Sequence, residues 1–150
     1  MSGIQVEIHG LAEALQTMEG MQAKLKDLRP IARDLFLVVQ ADVDRRFAGS
    51  PSTEVGGTVL GGEDWAPLQE RYLKYNPRRR GGQILRDTGE LLNSLSIGSP
   101  GNVNEVREDE LIFGTNLPKA GRLQEDRPFL FMHPGLVSQI ENVVIHYLEV

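Results

Sequence analysis

Residues 84–91 read Ile84-Leu85-Arg86-Asp87-Thr88-Gly89-Glu90-Leu91. An apolar pair is followed by capping residues and a glycine, so this phrase is expected to fix the direction of the backbone. Three further phrases also combine an apolar anchor with Gly, Pro or a capping residue: Trp65-Ala66-Pro67-Leu68, Ile112-Phe113-Gly114-Thr115-Asn116 and Arg127-Pro128-Phe129-Leu130. None of the four contains the residue set of an active site, and the pattern therefore points away from catalysis.

The phrase at 84–91 predicts the start of a helix. Asp87 and Thr88 are both candidate N-cap residues. Glu90 follows in the first turn, where a negative charge is favoured. The helix is expected to cover Leu91, Leu92 and Leu95, with Thr88 and Leu91 fixing its beginning.

In the N-terminal third of the chain, apolar residues first recur with the spacing of a strand and then with that of a helix. Residues 4–8 alternate apolar and polar side chains, as a half-buried strand does. Two apolar stripes of helical period follow, separated by Pro30, which interrupts a helix because it lacks a backbone N–H. The stripes are Leu11, Leu15, Met18, Met21, Leu25 and Leu28, and then Ile31, Leu35, Val39, Val43 and Phe47.

Two segments rich in glycine and proline, 49–64 and 76–83, are predicted to be flexible loops. The first holds five glycines and exceeds the usual length of a connection between packed elements. We expect it to become ordered on contact with a neighbouring subunit. The alternative interpretation is a surface insertion that tolerates any composition.

Trp65 and Leu68 are predicted to anchor the end of the 49–64 loop. Ordinary core packing is the role that the sequence favours for Trp65. Pro67 suits the first turn of a short helix, which would place Leu68 and Tyr72 on one face.

The C-terminal half is expected to supply two strands and a helix. Val103 and Val106 mark one strand and residues 111–113 the other. Pro134 is expected to open a final helix whose apolar face contains Val137, Ile140, Val144 and Tyr147 or Leu148. Residues 1–150 are therefore predicted to form one α+β domain, with long loops and a small antiparallel sheet packed by a long N-terminal helix and a C-terminal helix. The sheet edges would suit pairing with neighbouring subunits.

Composition narrows the class of protein. A chain of 150 residues with 40% hydrophobic side chains can bury one core. It contains no apolar run of about 18 residues and no cysteine, so no membrane span, disulfide or thiol nucleophile is predicted. Residues 1–7 lack the basic start and apolar segment of a secretory signal. We expect a soluble protein, cytoplasmic when made.

The net charge of −5 is unevenly distributed along the chain. Residues 1–64 carry −4, residues 65–90 carry +3 and residues 91–150 carry −4. A DNA-binding domain needs a large positive face for phosphate contacts, which this pattern does not favour. It suits a protein with complementary surfaces for several protein partners.

No enzyme, metal or cofactor is predicted. His9, His133 and His146 have no repeated ligand spacing, and His133 is expected to lie at the entry to the last helix. Asp42 and Asp44 are two residues apart on a helix, so they should point to different faces. Phosphate-binding loops, dinucleotide-binding loops and nucleophile elbows have no match in the chain.

Arg78, Arg79 and Arg80 form the one basic run, and Tyr72 and Tyr75 lie close to it in sequence. The sequence supports two interpretations of this run equally, a solvated loop and an interaction surface. As an interaction surface, the run favours an acidic protein partner, because reading of bases needs a positioned helix or ribbon. A small nucleic-acid-binding protein that uses these arginines is the alternative from another class.

The four phrases, in this order, resemble those of the phage virion morphogenesis family, the tail-completion proteins of tailed phages. The family pairs a Trp-Pro-Leu segment with a later Leu-x-x-Thr-Gly-x-Leu segment, here Leu85 to Leu91. An apolar-Phe-Gly strand end and an Arg-Pro-Phe-Leu helix entry follow, here Ile112 to Gly114 and Arg127 to Leu130. The resemblance extends from about residue 11 to the C-terminus. Residues 117–126 depart from it, since only Ala120 and Gln124 match the stretch that relatives carry there.

The resemblance implies a structural virion protein of the tail or neck, made in the host cytoplasm, that completes the tail or joins it to the head. Such proteins are similar to tail terminators and work as rings, commonly hexamers, around passing DNA. The implied partners are further copies of the chain and the neighbouring tail tube, terminator or connector proteins, with no membrane partner. A tail terminator or head–tail connector is the alternative within this class. The predicted interaction residues are Trp65, Leu68, Arg78, Arg79, Arg80, Thr88 and Leu91.

Overall fold

The computed structural model describes the backbone of residues 6–8 together with residues 27–107 and 110–148. The strands are β1 Val6–Ile8, β2 Gly57–Thr58, β3 Asp64–Trp65, β4 Asn102–Val106 and β5 Leu111–Thr115. The helices are α1 Ala32–Ala48, α2 Glu70–Tyr75, α3 Glu90–Ser94, α4 Ala120–Asp126 and α5 Pro134–Leu148. Two short 3₁₀ helices cover Arg29–Ile31 and Pro77–Arg79. The apolar stripe that begins at Leu11 falls on residues outside the described ranges, except for Leu28.

β5 is the central strand of a three-stranded antiparallel sheet in the order β1-β5-β4. All five residues of β5 are buried, as in a strand covered on both faces. β4 lies beside it with Val106 opposite Leu111, and it exposes Asn104 and Glu105. The two strands predicted in the C-terminal half are therefore confirmed.

The two long helices cover the sheet and each other. α1 packs against α5 and also contacts β5. The stripe predicted for α1 is buried, and Pro30 lies in the 3₁₀ helix before it. α5 begins at Pro134 as predicted. It buries Leu136, Ile140 and Val144; of the other predicted residues, Val137 and Leu148 are half-buried against the core and Tyr147 is exposed. The α+β class and the packing of the sheet by the two helices are confirmed.

An ion pair lies on the buried face of α1. Asp42 and Arg46 are one helical turn apart, and the Arg46 Nη2 donates to Asp42 Oδ2 at 2.6 Å. Their side chains are 2% and 0% exposed. The second carboxylate oxygen of Asp42 lies 2.7 Å from His133 Nε2, just before α5. Asp44 is exposed, so the prediction that Asp42 and Asp44 point to different faces is confirmed.

Arg46 also holds two loop segments by their backbones. Its Nε donates to the carbonyl of Leu60 at 2.8 Å, and its Nη1 donates to the carbonyl of Phe129 at 3.0 Å. The guanidinium carbon lies 4.2 Å from the centre of the Phe131 ring, a cation–π geometry. Gly61 has a φ of +102°, and a Cβ there would lie 2.4 Å from the same ring, so only glycine fits.

Residues 49–64 contain a hairpin that the sequence analysis did not predict. β2 and β3 pair with Gly57 opposite Trp65, and Thr53 and Val59 are buried. Each strand has only two residues, and β2 includes a glycine, so neither strand shows the alternating apolar pattern that identifies a strand from sequence. Ordering of this segment on contact with a neighbour stays a prediction.

The expected position of the short helix after Trp65 was wrong. α2 begins at Glu70, because the backbone before it is extended and the N–H of Leu68 donates to the carbonyl of Thr53 at 2.8 Å. The helix buries Leu73, while Tyr72 and Tyr75 are exposed. Among the helices of the described ranges, none has the length and apolar character needed to span a bilayer.

We predict that Arg46→Met lowers the free energy of unfolding by about 3–5 kcal/mol, because the buried carboxylate of Asp42 loses its guanidinium partner. Urea denaturation followed by circular dichroism measures the effect. Arg45→Met is the matched control, since Arg45 is exposed on the same helix and, among the described residues, its guanidinium bonds only the Gln139 side chain. Equal urea midpoints for the two variants would contradict the role assigned to Arg46.

Candidate interaction site

The phrases at 65–68 and 127–130 meet through hydrogen bonds to backbone carbonyls. Trp65 is fully buried, and its Nε1 donates to the carbonyl of Pro128 at 2.8 Å. Arg127 donates from Nε to Ala66 at 2.8 Å and from Nη2 to Pro67 at 3.0 Å. Trp65 therefore works as an interior anchor of its segment and does not offer its ring to a partner.

The phrase at 84–91 has an unusual backbone. Leu85 has a φ of +61°, a left-handed conformation that costs an L-residue about 1–2 kcal/mol. Ile84, the residue before it, makes two hydrogen bonds. Its N–H donates to the carbonyl of Pro51 at 2.9 Å, and its carbonyl accepts from the hydroxyl of Ser50. These bonds keep Leu85 in place at the edge of a groove.

The helix predicted to start near Thr88 begins at Glu90, and its N-cap is neither Asp87 nor Thr88. Gly89 occupies the N-cap position with a φ of +82° and no side-chain cap. The hydroxyl of Thr88 still accepts the N–H of Glu90 at 3.3 Å. Leu91 is buried, as the apolar pattern predicted.

The third phrase joins the sheet to α3. Thr115, the last residue of β5, is fully buried, and its Oγ1 lies 2.7 Å from Ser94 Oγ in α3. The same hydroxyl accepts the N–H of Leu117 at 3.2 Å. Among the four phrases, those at 65–68 and 127–130 are therefore bonded directly to each other, whereas the other two are held by residues outside the phrases.

A groove of about 770 Å³ lies where these segments meet. Residues 66–69 form one wall, residues 85–91 the second, and α4 with its flanking residues the third. Leu68, Thr88 and Leu91, all predicted interaction residues, line it, while Trp65 lies beneath it in the core. The sequence analysis missed the third wall, because the interval 117–126 carries no phrase of its own.

The groove is lined by more basic than acidic side chains. The basic ones are Arg79, Lys119, Arg122 and Arg127, and the acidic ones are Asp87, Glu90 and Asp126. Lys119 pairs with Glu90 at 3.3 Å. Within the described ranges, Arg122 and Arg127 have no carboxylate at ion-pair distance.

The three arginines of the basic run have different surroundings. Arg78 forms a two-bond ion pair with Asp87, and Arg80 forms one with Glu70. Arg79 is 93% buried, with its Nε 3.8 Å from Asp87. Charges that are already paired inside the chain have less attraction for an external anion, so the run is a weaker contact surface than the sequence suggests.

These pairs shift the ionisation of their carboxylates. The hydrogen bond from Arg78 is the largest cause that holds the pKa of Asp87 below its ordinary value, and the charges of Arg79 and Lys119 act in the same direction. The hydrogen bond from Arg80 lowers the pKa of Glu70 likewise.

His133 lies at the entry to α5 as expected, but it also bonds the buried Asp42, which the sequence analysis missed. The signal was present, since Asp42 and Arg46 are opposite charges one turn apart within an apolar stripe. His146 lies in the last turn of α5. The described residues hold no group of three or more His, Asp or Glu side chains arranged to bind a metal.

Comparison with known proteins finds no matching family model, curated protein or solved structure.

We predict that the double variant Arg78→Gln/Arg80→Gln changes the pH dependence of stability. Asp87 and Glu70 have lowered pKa values when folded, so their ion pairs stabilise the protein above the unfolded pKa, about 4, and this contribution is lost as pH falls through the folded values. The urea midpoint of the variant should lie below that of the parent at neutral pH, and the gap should close below about pH 4.

Urea titrations at several pH values measure that gap. Arg122→Gln is the control, because Arg122 is exposed and has no described carboxylate partner. A gap that stays constant from neutral pH to below the carboxyl pKa would contradict the assignment of these pairs.

Proposed function

We propose that this chain is a structural, non-enzymatic subunit of a phage tail or neck. It completes the tail or joins the tail to the head as one subunit of a ring, and it catalyses no reaction. The virion is its final location, and its partners are further copies and the adjoining tail tube, terminator or connector proteins. A terminator or connector role is the alternative within this class.

The observation that supports this proposal is that three of the four phrases, at 65–68, 84–91 and 127–130, line one groove. Trp65 bonds Pro128, Arg127 bonds Ala66 and Pro67, and Thr115 bonds Ser94. Residues that position the backbone around a groove are consistent with a protein that functions by binding other proteins. These three phrases are among the four that carry the family resemblance, and two of them are also hydrogen-bonded to each other.

Two surface features also suit assembly. β4 is an edge strand of the described sheet, and such an edge can pair with another chain. The alternation of negative, positive and negative segments along the chain permits complementary contacts in a repeated head-to-tail interface.

The nucleic-acid alternative depends on Arg78, Arg79 and Arg80. Phosphate binding would have to compete with Asp87 and Glu70 for two of these arginines, and the third is largely buried. No observation favours this alternative over the assembly role.

The test is complementation in vitro. A phage that lacks this coding sequence should produce heads and tails that do not join into infectious particles, because the junction is incomplete. Addition of the purified protein to that lysate should restore plaque-forming particles, counted on a sensitive host.

Two controls accompany this test. Arg33→Glu, an exposed substitution on α1, should restore infectivity as the parent protein does. Normal infectivity of the phage without the coding sequence, or failure of the folded protein to restore joining, would contradict the proposal.

A further inference from the structure

The groove offers two guanidinium groups to a ligand. Arg122 is exposed on α4 and makes no ion pair with any residue that the structure describes. Arg127 uses Nε and Nη2 on the carbonyls of Ala66 and Pro67, and no carboxylate of the described ranges lies at ion-pair distance from it. The lining as a whole holds four basic and three acidic side chains, a net charge of +1 in a chain of −5. The groove therefore favours a ligand that carries a carboxylate.

Apolar side chains line the same groove. Leu85 belongs to the wall at 85–91 and Leu123 to α4, and both are half-buried. Apolar walls of this kind strengthen an ion pair that forms between them. The positive φ of Leu85 is an unfavourable conformation of the type that collects at binding sites. The groove thus suits a ligand with an apolar side chain close to its carboxylate.

The end of the β2–β3 hairpin, residues 58–64, carries this combination. It contains two acidic residues and no basic one, a net charge of −2. The side chain of Leu60 is exposed, at 41%. Glu63, three residues later, is also exposed and has no ion-pair partner among the described residues. The hairpin end therefore presents an apolar group and a free carboxylate together.

The hairpin end is held in position by contacts that leave these two side chains exposed. The N–H of Val59 donates to the carbonyl of Glu63 at 2.8 Å, which closes the loop between the strands. The carbonyl of Leu60 accepts from Arg46 at 2.8 Å, and Gly61 packs close to the ring of Phe131. A segment that its own chain already holds loses less entropy when it docks.

The hairpin end does not occupy the groove of its own chain. Gly61 lies beside Phe131, just before α5, whereas the groove lies among residues 66–69, residues 85–91 and α4. None of the described residues that line the groove belongs to 58–64. Every copy thus carries an unfilled groove and a hairpin end of matching charge, and two copies can supply each other.

The geometry points to a head-to-tail contact in which the hairpin end of one copy docks in the groove of the next, with Leu60 between the apolar walls and Glu63 beside Arg122. This inference rests on the proposed function and specifies its interface. The two surfaces are different, so the contact is heterologous, and its repetition generates a closed ring when the rotation between copies allows closure.

A charge exchange tests this contact. Arg122→Glu reverses a charge of the groove, and Glu63→Lys reverses one of the hairpin end. Each variant alone should associate about tenfold more weakly than the parent, because like charges then oppose each other. An equimolar mixture of the two should recover association, since an unaltered hairpin end meets an unaltered groove at one interface and the exchanged pair meets at the other.

Sedimentation velocity measures the assembly of each sample, alone and with the tail proteins. Arg33→Glu and Asp44→Lys, exposed substitutions on α1 with the same charge changes, are the controls and should assemble as the parent does. Parent-like assembly of Arg122→Glu or Glu63→Lys alone, or a mixture no better than its components, would overturn the docking while leaving the ring intact. A parent protein that forms no oligomer in either condition would overturn the proposed function as well.

The absence of cysteine from the sequence allows a second test, which does not depend on reversed charges. Glu63→Cys and Arg122→Cys copies are mixed and treated with a short bis-maleimide cross-linker. Covalent pairs of the two different variants are expected, with little product when Arg33→Cys replaces Arg122→Cys. Equal yields in the two mixtures would overturn the proposed docking.

Discussion

A buried guanidinium holds three separate parts of this chain in position. Arg46 extends from α1 and binds Asp42, the carbonyl of Leu60 and the carbonyl of Phe129. Burial of a charge is costly unless its hydrogen bonds are satisfied, so each of these segments must reach its place before the interior becomes stable. The constraint fixes the β2–β3 hairpin and the approach to α5 relative to α1.

The position of the groove depends on that arrangement. The hairpin ends at Trp65, whose Nε1 donates to the carbonyl of Pro128, next to the carbonyl that accepts from Arg46. Arg127 then joins the same two segments from the surface side. A contact surface built in this way has walls positioned by the core, which reduces the entropy lost when a partner docks.

Patterns along the sequence predict the long elements well and the short ones poorly. The helical stripe of α1, Pro134 at the start of α5 and the two adjacent strands were evident, because each signal repeats over several residues. The strands β2 and β3 have two residues each, too few to show an alternating pattern, and Gly89 takes the N-cap position with a positive φ and no side chain, so neither feature carries a signal in the sequence. No groove was predicted, although three residues chosen from the sequence, Leu68, Thr88 and Leu91, line it. The groove and the Asp42–His133 bond became visible only in the fold. The sequence analysis also gave all three arginines of the basic run equal weight, although Arg79 is buried and its neighbours are paired.

The function proposed for this chain is contact with other copies and with tail proteins. The most direct test of this proposal is the native mass of the purified protein, measured alone and with the tail proteins that the proposal names as its neighbours. We expect a closed ring, formed by the protein alone or on addition of those partners. A stable monomer that ignores the tail proteins and binds DNA in low salt would contradict it.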